Sequence, residues 1–529
     1  MRDFHFPGRS TAHGMNGVAA TSHPAATLAA IDILRAGGNA VDAAIAASAT
    51  LCVVEPQSTG IGGDCFAVYA PGSDMSKAIS VNGSGCAPAK ANVDWFIEQG
   101  MDRIGLFTAH AVTVPGAVDA WDKLLKAHGT MKFDQVLKTA IDYAEDGFVV
   151  APRVSKDWAG QVDKLSKDAN ASRVYLANGR APACGEVHRN QGLAETFRTI
   201  AAEGRDGFYE GRVAKDIVDY LNSLGGLHTL DDFSAQETEI LEPIQTSYRD
   251  YHISTVPPNN PGITTLIMLN ILEGFDLASL DPNGTQRLHL QAEATRLAYN
   301  ARETWVGDPR QVDVPVDRLL SKEFAEELRA QINPDQASDF EYIRPPAHPD
   351  TIYLSVVDKD RNAISFINST FFPFGSGLVS PTTGIALQNR GGGFRLEPDH
   401  PNCIAPGKRP LHTITPGMLS KDGRTVMPYG VMGGQYQPVG QSQVVTNVVD
   451  FGMDPQEALD MPRAFHFDEE YQLESGVPAE TEAGLKAMGH KTTRFDSPHG
   501  GGQAIWIDWE NNTLMGGSDP RKDGIALGY

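Results

Sequence analysis

The feature that most constrains the fold of this chain is a proline-rich segment that runs directly into a β-hairpin. Residues 333–350 include NPD at 333–335 and RPPAHPD at 344–350, a composition typical of an exposed linker. Residues 351–358 read TIYLSVVD and residues 363–369 read AISFINS, with the turn KDRN between them, which predicts two antiparallel strands. Thr351 therefore stands where the linker meets the first strand.

A threonine at this junction has two interpretations. Most such residues simply begin a strand. If the chain were cut before Thr351, however, the new α-amine, with a pKa of about 7.7 to 8.0 in model peptides, could accept the proton of the Thr351 hydroxyl. The uncut chain could make that cut itself by attack of the Thr351 hydroxyl on the carbonyl of Asp350.

Glycine clusters follow at apparent strand ends. They are Gly375-Ser376-Gly377, Gly391-Gly392-Gly393 and Gly433-Gly434. Such backbone can present N–H groups to a developing oxyanion, although each cluster alone is more often a tight turn.

Composition excludes several classes of protein. The net charge is −22 with a pI near 5.1, and no run of five basic residues occurs, so nucleic acid is not an expected partner. The 5 cysteines include no CxxC pair, and the histidines show no metal-ligand spacing, so neither a disulfide scaffold nor a metal site is predicted. We interpret His348 and His412 as polar loop residues in preference to metal ligands.

The N-terminus has no export signal, and the apolar run from Ala43 to Val54 is shorter than the roughly 20 residues that span a bilayer. We therefore expect a cytoplasmic protein without a membrane partner. GxSxG, HExxH and GxxxxGK[ST] motifs are absent, which leaves α/β-hydrolase, zincin and P-loop assignments without support.

Periodicity predicts helices and a first strand along the first two thirds of the chain. Residues 115–330 alternate helical patterns with short polar loops and are expected to form covering helical layers. The predicted elements are a strand at 65–69 and helices at 25–36, 40–50, 117–126, 133–145, 193–202 and 286–299.

A series of motifs in one order resembles the γ-glutamyltranspeptidases and their relatives among the N-terminal nucleophile hydrolases. The resemblance covers nearly the whole chain. Its motifs are GGNAVDAA at 37–44, EP at 55–56, GIGGD at 60–64, VPG at 114–116, Thr351 before SVVD, GKRP at 407–410, MGG at 432–434 and GSDPR at 517–521.

The resemblance implies an α+β fold, a four-layer αββα sandwich formed as a single large domain by two autoprocessed chains. Cleavage between Asp350 and Thr351 would give a large subunit, residues 1–350, and a small subunit, residues 351–529. By resemblance, Thr351 is the nucleophile, Ser369 supports it as a hydroxyl that is usually threonine in the family, and Gly433 and Gly434 supply the oxyanion N–H groups. The chemistry requires no cofactor and no metal.

The substrate pocket departs from the best-known members. This chain has Ser84 at the position where those members have the arginine that holds an α-carboxylate. Phe371, Arg390 and Gly393 replace the family's asparagine, glutamine and aspartate, respectively. Without that aspartate an α-ammonium would lose a contact of roughly 1.5 to 3 kcal/mol, so glutathione is expected to bind poorly.

His412 and Thr413 replace paired serines of the family, and together with Arg390 and Phe371 they form the expected substrate-binding set. A guanidinium suits a planar carboxylate, and Phe371 makes the pocket smaller and less polar. Arg390 could instead pair with a surface carboxylate.

Three functions remain open at this point. The first is hydrolysis of a small carboxylate-bearing amide, as in the oxamate amidohydrolase branch of the family. The second is a γ-glutamyltransferase or glutathione hydrolase, and the third is an unprocessed, non-catalytic binding protein of the same fold. The expected partners are a small-molecule amide and the other subunit of the same precursor, and the sequence leaves a homo-oligomer open.

Overall fold

Two seven-stranded sheets lie face to face between two layers of helices in the computed structural model. The structure describes residues 8–339, 351–467 and 469–529. The αββα sandwich expected from the sequence is confirmed.

The first sheet contains the predicted hairpin and is called here the hairpin sheet. The hairpin strands pair antiparallel with Ile352 opposite Asn368 and Val357 opposite Ala363. Across the sheet the strands are Ile525–Gly528, Gly17–Thr21, Ile352–Asp358, Ala363–Ser369, Asp64–Ala70, Ile79–Gly83 and Glu239–Leu241.

The second sheet is also antiparallel between the neighbours that pair in it. Its strands, in spatial order, are Ala12–Gly14, Thr513–Ser518, Gly501–Asp508, Arg424–Met432, Gly417–Lys421, Tyr251–Thr255 and Ile244–Tyr248. Smaller sheets join Ala464–Phe467, Glu470–Leu473 and Thr492–Arg494, and Phe148–Val149 with Val187–His188.

Helices cover the outer face of each sheet. Those against the hairpin sheet come from the first half of the chain: Pro24–Arg35, Ala40–Val54, Ala117–His128, Phe133–Val136, Lys138–Asp146, Pro152–Ala159, Val162–Leu165, Ala169–Tyr175, Gln191–Glu203, Asp206–Tyr209, Gly211–Ser223 and Leu230–Ser234. Helix Val93–Glu98 packs in a separate small cluster with Phe394 and Ile404. The remaining helices are Gly262–Leu272, Thr285–Trp305, Val316–Leu319, Lys322–Arg329, Gln437–Val449, Pro455–Asp460 and Ala479–Ala487.

The predicted helices and the strand at 65–69 all occur, most of them a few residues longer than expected. The helix predicted over 133–145 is divided at Leu137 into two helices. The region 115–330 is not purely helical, because it also supplies strands Glu239–Leu241, Ile244–Tyr248 and Tyr251–Thr255. Two of these are outermost strands of their sheets, where a partly exposed strand needs no continuous apolar pattern.

Apolar side chains from both sheets fill the space between them. Phe66, Tyr353 and Ile367 of the hairpin sheet pack with Met432 and Ile505 of the second sheet. Strand Asp64–Ala70 is buried at every position because it has the second sheet on one face and helices on the other.

Helix Ala40–Val54 is completely buried beneath the hairpin sheet. A capping box satisfies its first turn: Asn39 Oδ1 accepts from Val41 and Asp42, and Asp42 Oδ2 accepts the Asn39 N–H at 2.8 Å. Asp358, which ends the first hairpin strand, accepts the Ala40 N–H at 2.9 Å. The GGNAVDAA motif thus anchors a core helix directly to the hairpin.

Candidate active site

Three strand ends meet at one edge of the hairpin sheet. Thr351 precedes the first hairpin strand, Ser369 ends the second, and Asp64 begins the next strand, directly opposite Ser369. Opposed residues in an antiparallel pair have their Cβ atoms about 4.5 to 5.5 Å apart. Register alone therefore places a threonine, a serine and an aspartate side by side.

The hydroxyls of Thr351 and Ser369 are in contact. Their Oγ atoms are 3.1 Å apart, and both residues are fully buried. Ser369 Oγ also accepts the Phe371 N–H at 2.9 Å, which fixes the position of the hydroxyl. The predicted pairing of Thr351 with Ser369 thus has hydrogen-bond geometry.

The GIGGD loop approaches the end of the hairpin too closely for a side chain. A Cβ on Gly63 would lie 2.2 Å from the Ser369 carbonyl oxygen, well inside contact distance. The Gly63 carbonyl in turn accepts the N–H groups of Gly116 and Ala117, both at 3.0 Å. The glycine motif therefore brings Asp64, Ser369 and the VPG segment together.

Gly433 and Gly434 form the turn that follows strand Arg424–Met432 of the second sheet. Both have left-handed backbone, with φ of +117° and +56°. A Cβ on Gly433 would lie 2.8 Å from the Gly500 Cα atom. Gly433 also borders a cleft of about 190 Å³ with Pro373, His499 and Gly500.

Arg390 lies fully buried beneath Phe371, with its guanidinium carbon 4.1 Å from the ring centre. Its Nη1 donates to Thr413 Oγ1 at 2.9 Å, whereas Nε and Nη2 have no hydrogen-bond partner in the described part of the chain. Phe371 has φ +80°, a conformation that costs a bulky residue about 1 to 3 kcal/mol. Phe371 contacts Arg390 with its ring and donates its N–H to Ser369, so a single residue separates Arg390 from the Thr351–Ser369 pair in space.

Asp64, the last residue of the GIGGD motif, adjoins these residues, although it was not among the predicted site residues. Its Oδ1 accepts N–H groups from Gly85 at 2.9 Å, Gly116 at 3.0 Å and Gln388 at 3.0 Å. Its Oδ2 has no hydrogen-bond partner among the described residues and lies 3.5 Å from His412 Nε2. Burial raises the pKa of Asp64 to about 6, although the charge of Arg390 acts in the opposite direction.

His412 is fully buried, and its Nε2 hydrogen-bonds with Ser84 Oγ at 2.7 Å. Burial, together with the charges of Arg390 and Arg409, holds the pKa of His412 well below its usual range, so the ring is neutral. Asn259 Nδ2 donates to the same Ser84 hydroxyl at 3.1 Å. Ser84 stands at the position expected for the family's carboxylate-binding arginine. Its hydroxyl is thus engaged by His412 and Asn259 of the protein itself.

The structure brings the predicted substrate residues together. Arg390 touches Phe371 and Thr413 directly, and His412 adjoins the group through Asp64. Gly393 ends the short turn Arg390–Gly393, and its carbonyl accepts from Asn402 Nδ2 at 2.8 Å. Asp350, the predicted residue before the cut, and His348 lie outside the described residues.

One group of side chains has the composition of a metal site, which residue spacing had not indicated. His289, Glu293 and His490 are buried, with ligand atoms within 4.8 Å of one another. Each already has a protein partner: His289 Nδ1 contacts His490 Nε2 at 2.8 Å, and Glu293 binds Arg296 Nη1 at 3.2 Å. The group lies on other elements than the Thr351 site.

Within residues 8–339, 351–467 and 469–529, no helix is both long and apolar enough to cross a membrane.

Comparison with known proteins agrees with the motifs and the fold. Residues 26–529 match the model of the gamma-glutamyltranspeptidase family. The glutathione hydrolase-like YwrD proenzyme of Bacillus subtilis (strain 168) is 37% identical, covering 97% of this chain and 99% of that protein. The oxamate amidohydrolase proenzyme of Klebsiella pneumoniae is 33% identical over 97% and 98%, respectively.

Among solved structures, cephalosporin acylase from Bacillus halodurans superimposes with a TM-score of 0.94 at 39% identity, covering 100% of this chain and 99% of that one. The motifs, the stacked sheets and the threonine at the sheet edge therefore have one explanation. This chain is an enzyme of the gamma-glutamyltranspeptidase family of N-terminal nucleophile hydrolases.

Proposed function

We propose that this enzyme is an autoprocessing amidohydrolase that cleaves a small, carboxylate-bearing amide, of which oxamate is an example, through a threonyl ester. The observation that carries the proposal is the buried Arg390 guanidinium, whose Nε and Nη2 have no hydrogen-bond partner among the described residues. Burying guanidinium N–H donors without acceptors is costly, so a site that keeps them is suited to an anionic ligand. The oxamate amidohydrolase proenzyme among the relatives is consistent with this substrate class.

The first step we propose is maturation of the chain. The Thr351 hydroxyl attacks the carbonyl of Asp350, the peptide bond becomes an ester, and water hydrolyses the ester. The products are a large subunit, residues 1–350, and a small subunit, residues 351–529, that remain associated. The word proenzyme in the names of the two curated relatives supports this step.

Turnover uses the same hydroxyl. Thr351 Oγ1 attacks the substrate carbonyl while the free α-amine of Thr351 accepts its proton, and the N–H groups of Gly433 and Gly434 stabilise the oxyanion. The proton passes to the leaving amine, the C–N bond breaks, and water hydrolyses the acyl-enzyme. The Ser369 hydroxyl, 3.1 Å from Thr351 Oγ1, holds the nucleophile in orientation.

Maturation is tested with two variants at one position. Wild type is expected to give two bands on denaturing electrophoresis, with the smaller chain beginning at Thr351 by N-terminal sequencing. Thr351→Ala removes the hydroxyl and should remain a single inactive chain, whereas Thr351→Ser keeps a hydroxyl and should still be cut. Active wild type that runs as one full-length band would refute the mechanism and would leave an unprocessed binding protein as the better explanation.

The substrate class is tested with matched amides that carry oxamyl, glutaryl and γ-glutamyl groups. We expect ammonia or amine release from oxamyl or glutaryl compounds and little turnover of γ-glutamyl anilides.

A γ-glutamyltransferase or glutathione hydrolase is the second candidate. It is favoured by the unpaired Asp64 Oδ2, which could accept from an α-ammonium group. That function predicts the reverse substrate preference and faster release in the presence of dipeptide acceptors.

A further inference from the structure

Arg390 beneath Phe371 and Asp64 opposite Ser369 are two buried, opposite charges, and each has unused hydrogen-bonding capacity. Arg390 has two unpaired nitrogens, and Asp64 has one unpaired oxygen, within the described part of the chain. Each is the charged neighbour that acts most strongly on the other, and both residues are completely buried. Asp64 is held in place by the three N–H groups on its Oδ1, so its Oδ2 cannot turn away.

The other titratable groups near Asp64 are neutral. Burial keeps the His412 pKa well below its usual range, and burial raises the pKa of the Cys65 thiol and of the Tyr209 phenol well above theirs. Burial lowers the pKa of Arg390 only to about 9, so it stays protonated at pH 7. At pH 7, therefore, the positive charge of Arg390 is balanced by the negative charge of Asp64.

A ligand carboxylate that pairs with Arg390 changes this balance. The buried pocket would then contain two carboxylates and one guanidinium. Two carboxylates in one site raise the pKa of one of them strongly, because the second negative charge is unfavourable at low dielectric. A ligand that also carries an ammonium group avoids the problem by supplying its own positive charge.

We propose that carboxylate binding at Arg390 is coupled to the protonation of Asp64, which makes Asp64 a specificity-determining residue. An acyl group with a carboxylate and no amine binds together with one proton from solvent, which resides on Asp64 Oδ2. An α-amino acid group binds without that proton, and its ammonium donates to the ionised Asp64. The inference rests on the proposed carboxylate-binding function of Arg390.

The direction of the pH effect follows from Asp64. Burial sets the pKa of Asp64 in the empty site to about 6, and the bound carboxylate raises it further. Above about pH 6, therefore, the empty site must take up a proton in order to bind a simple carboxylate. The affinity for such a ligand should fall about tenfold per pH unit until the pKa of Asp64 in the complex is reached.

The test compares two competitive inhibitors of processed wild-type enzyme, butyrate and L-2-aminobutyrate, which differ only in the α-ammonium group. Their inhibition constants are measured from about pH 6 to pH 8, where both carboxylates are ionised. The ratio of the two constants cancels any pH effect that both ligands share, including titration of the Thr351 α-amine. We expect the butyrate constant to rise about tenfold per pH unit relative to the aminobutyrate constant.

Asp64→Asn is the matched variant, because the amide oxygen can still accept the N–H groups of Gly85 and Gly116. It should make the ratio of the butyrate constant to the aminobutyrate constant independent of pH. If this variant does not mature, calorimetry of wild type in two buffers of different ionisation enthalpy decides instead. We expect uptake of close to one proton per butyrate at pH 7 and none per aminobutyrate.

The outcomes separate the two proposals. Butyrate inhibition with no pH dependence would end the coupling and leave the carboxylate pocket intact. The same pH dependence for both ligands would also overturn the coupling. If neither ligand binds at any pH, the proposed carboxylate-binding function of Arg390 fails and the coupling fails with it.

Discussion

At the scale of single residues, the site depends on groups that are buried without complete pairing. Among the described residues, two nitrogens of Arg390 and one oxygen of Asp64 have no hydrogen-bond partner. Phe371, which lies over the Arg390 guanidinium, has a strained backbone with φ +80°. Backbone strain and unsatisfied polar groups persist where the surrounding structure enforces them, which is typical of a binding site rather than of a core.

Arg390→Lys is expected to lower kcat/KM for a carboxylate-bearing amide. The lysine keeps a positive charge but loses the planar pair of donors, Nε and Nη2. Loss of a charge-assisted contact of about 1.5 to 3 kcal/mol corresponds to a decrease of roughly 10- to 150-fold.

The control for Arg390→Lys is a neutral amide of the same length, whose kcat/KM should change much less. An equal decrease for the neutral and the anionic amide would show that Arg390 maintains the fold of the site and does not contact the substrate.

At the scale of elements, the strand that begins at Asp64 and the hairpin are brought together by a glycine-rich loop, residues 60–63. A Cβ on Gly63 meets backbone, the Ser369 carbonyl at 2.2 Å, which cannot move aside as a flexible side chain can. The position of Thr351, the proposed nucleophile, thus depends on an element far from it in sequence.

Gly63→Ala is therefore expected to push the two strands apart at the site, at a cost of about 1 to 3 kcal/mol or more, and to slow cleavage. The measurements are the cleaved fraction over time and the urea midpoint. Gly160→Ala is the control, because Gly160 has φ −67° and its nearest neighbour would lie 3.5 Å from the new Cβ. Cleavage of Gly63→Ala at the wild-type rate would contradict this account.

At the scale of the whole molecule, burial of histidines makes stability depend on pH. Burial is the largest cause that lowers the pKa of His23, His188, His228 and His490 to about 4 and that of His466 to about 3. In the unfolded chain these rings take up protons near pH 6.5, whereas the folded chain keeps them neutral. The free energy of unfolding therefore has its full value above about pH 6.5. As the pH falls from 6.5 toward 4, each buried ring lowers it by about 1.4 kcal/mol per pH unit.

We expect the uncut Thr351→Ala chain, which avoids dissociation of subunits, to be less stable to urea at pH 5 than at pH 7. His188 packs among Trp158, Tyr175 and Phe148, so adding His188→Phe keeps an aromatic ring in place. This change should reduce the difference in unfolding free energy between the two pH values by about 2 kcal/mol. An unchanged difference would mean that His188 does not contribute to the pH dependence.

Much of the architecture could be predicted because it depends on local patterns. The hairpin at 351–369, the capped helix that begins at Ala40 and the glycine-rich segments have signals within a few residues, and their order along the chain resembles one family. The same local reasoning missed the strands at 244–248 and 251–255, since short, partly exposed strands have weak periodicity.

The sequence by itself determined the junction at Thr351, the two hydroxyl residues of the hairpin and the family to which they point, because turns, caps and strand alternation act over short distances. Only the tertiary structure decided that Asp64 stands opposite Ser369, that Arg390 packs under Phe371, and that both charges share one buried space. These residues come from separate parts of the chain, and strand register and layer packing, which no local pattern specifies, bring them together.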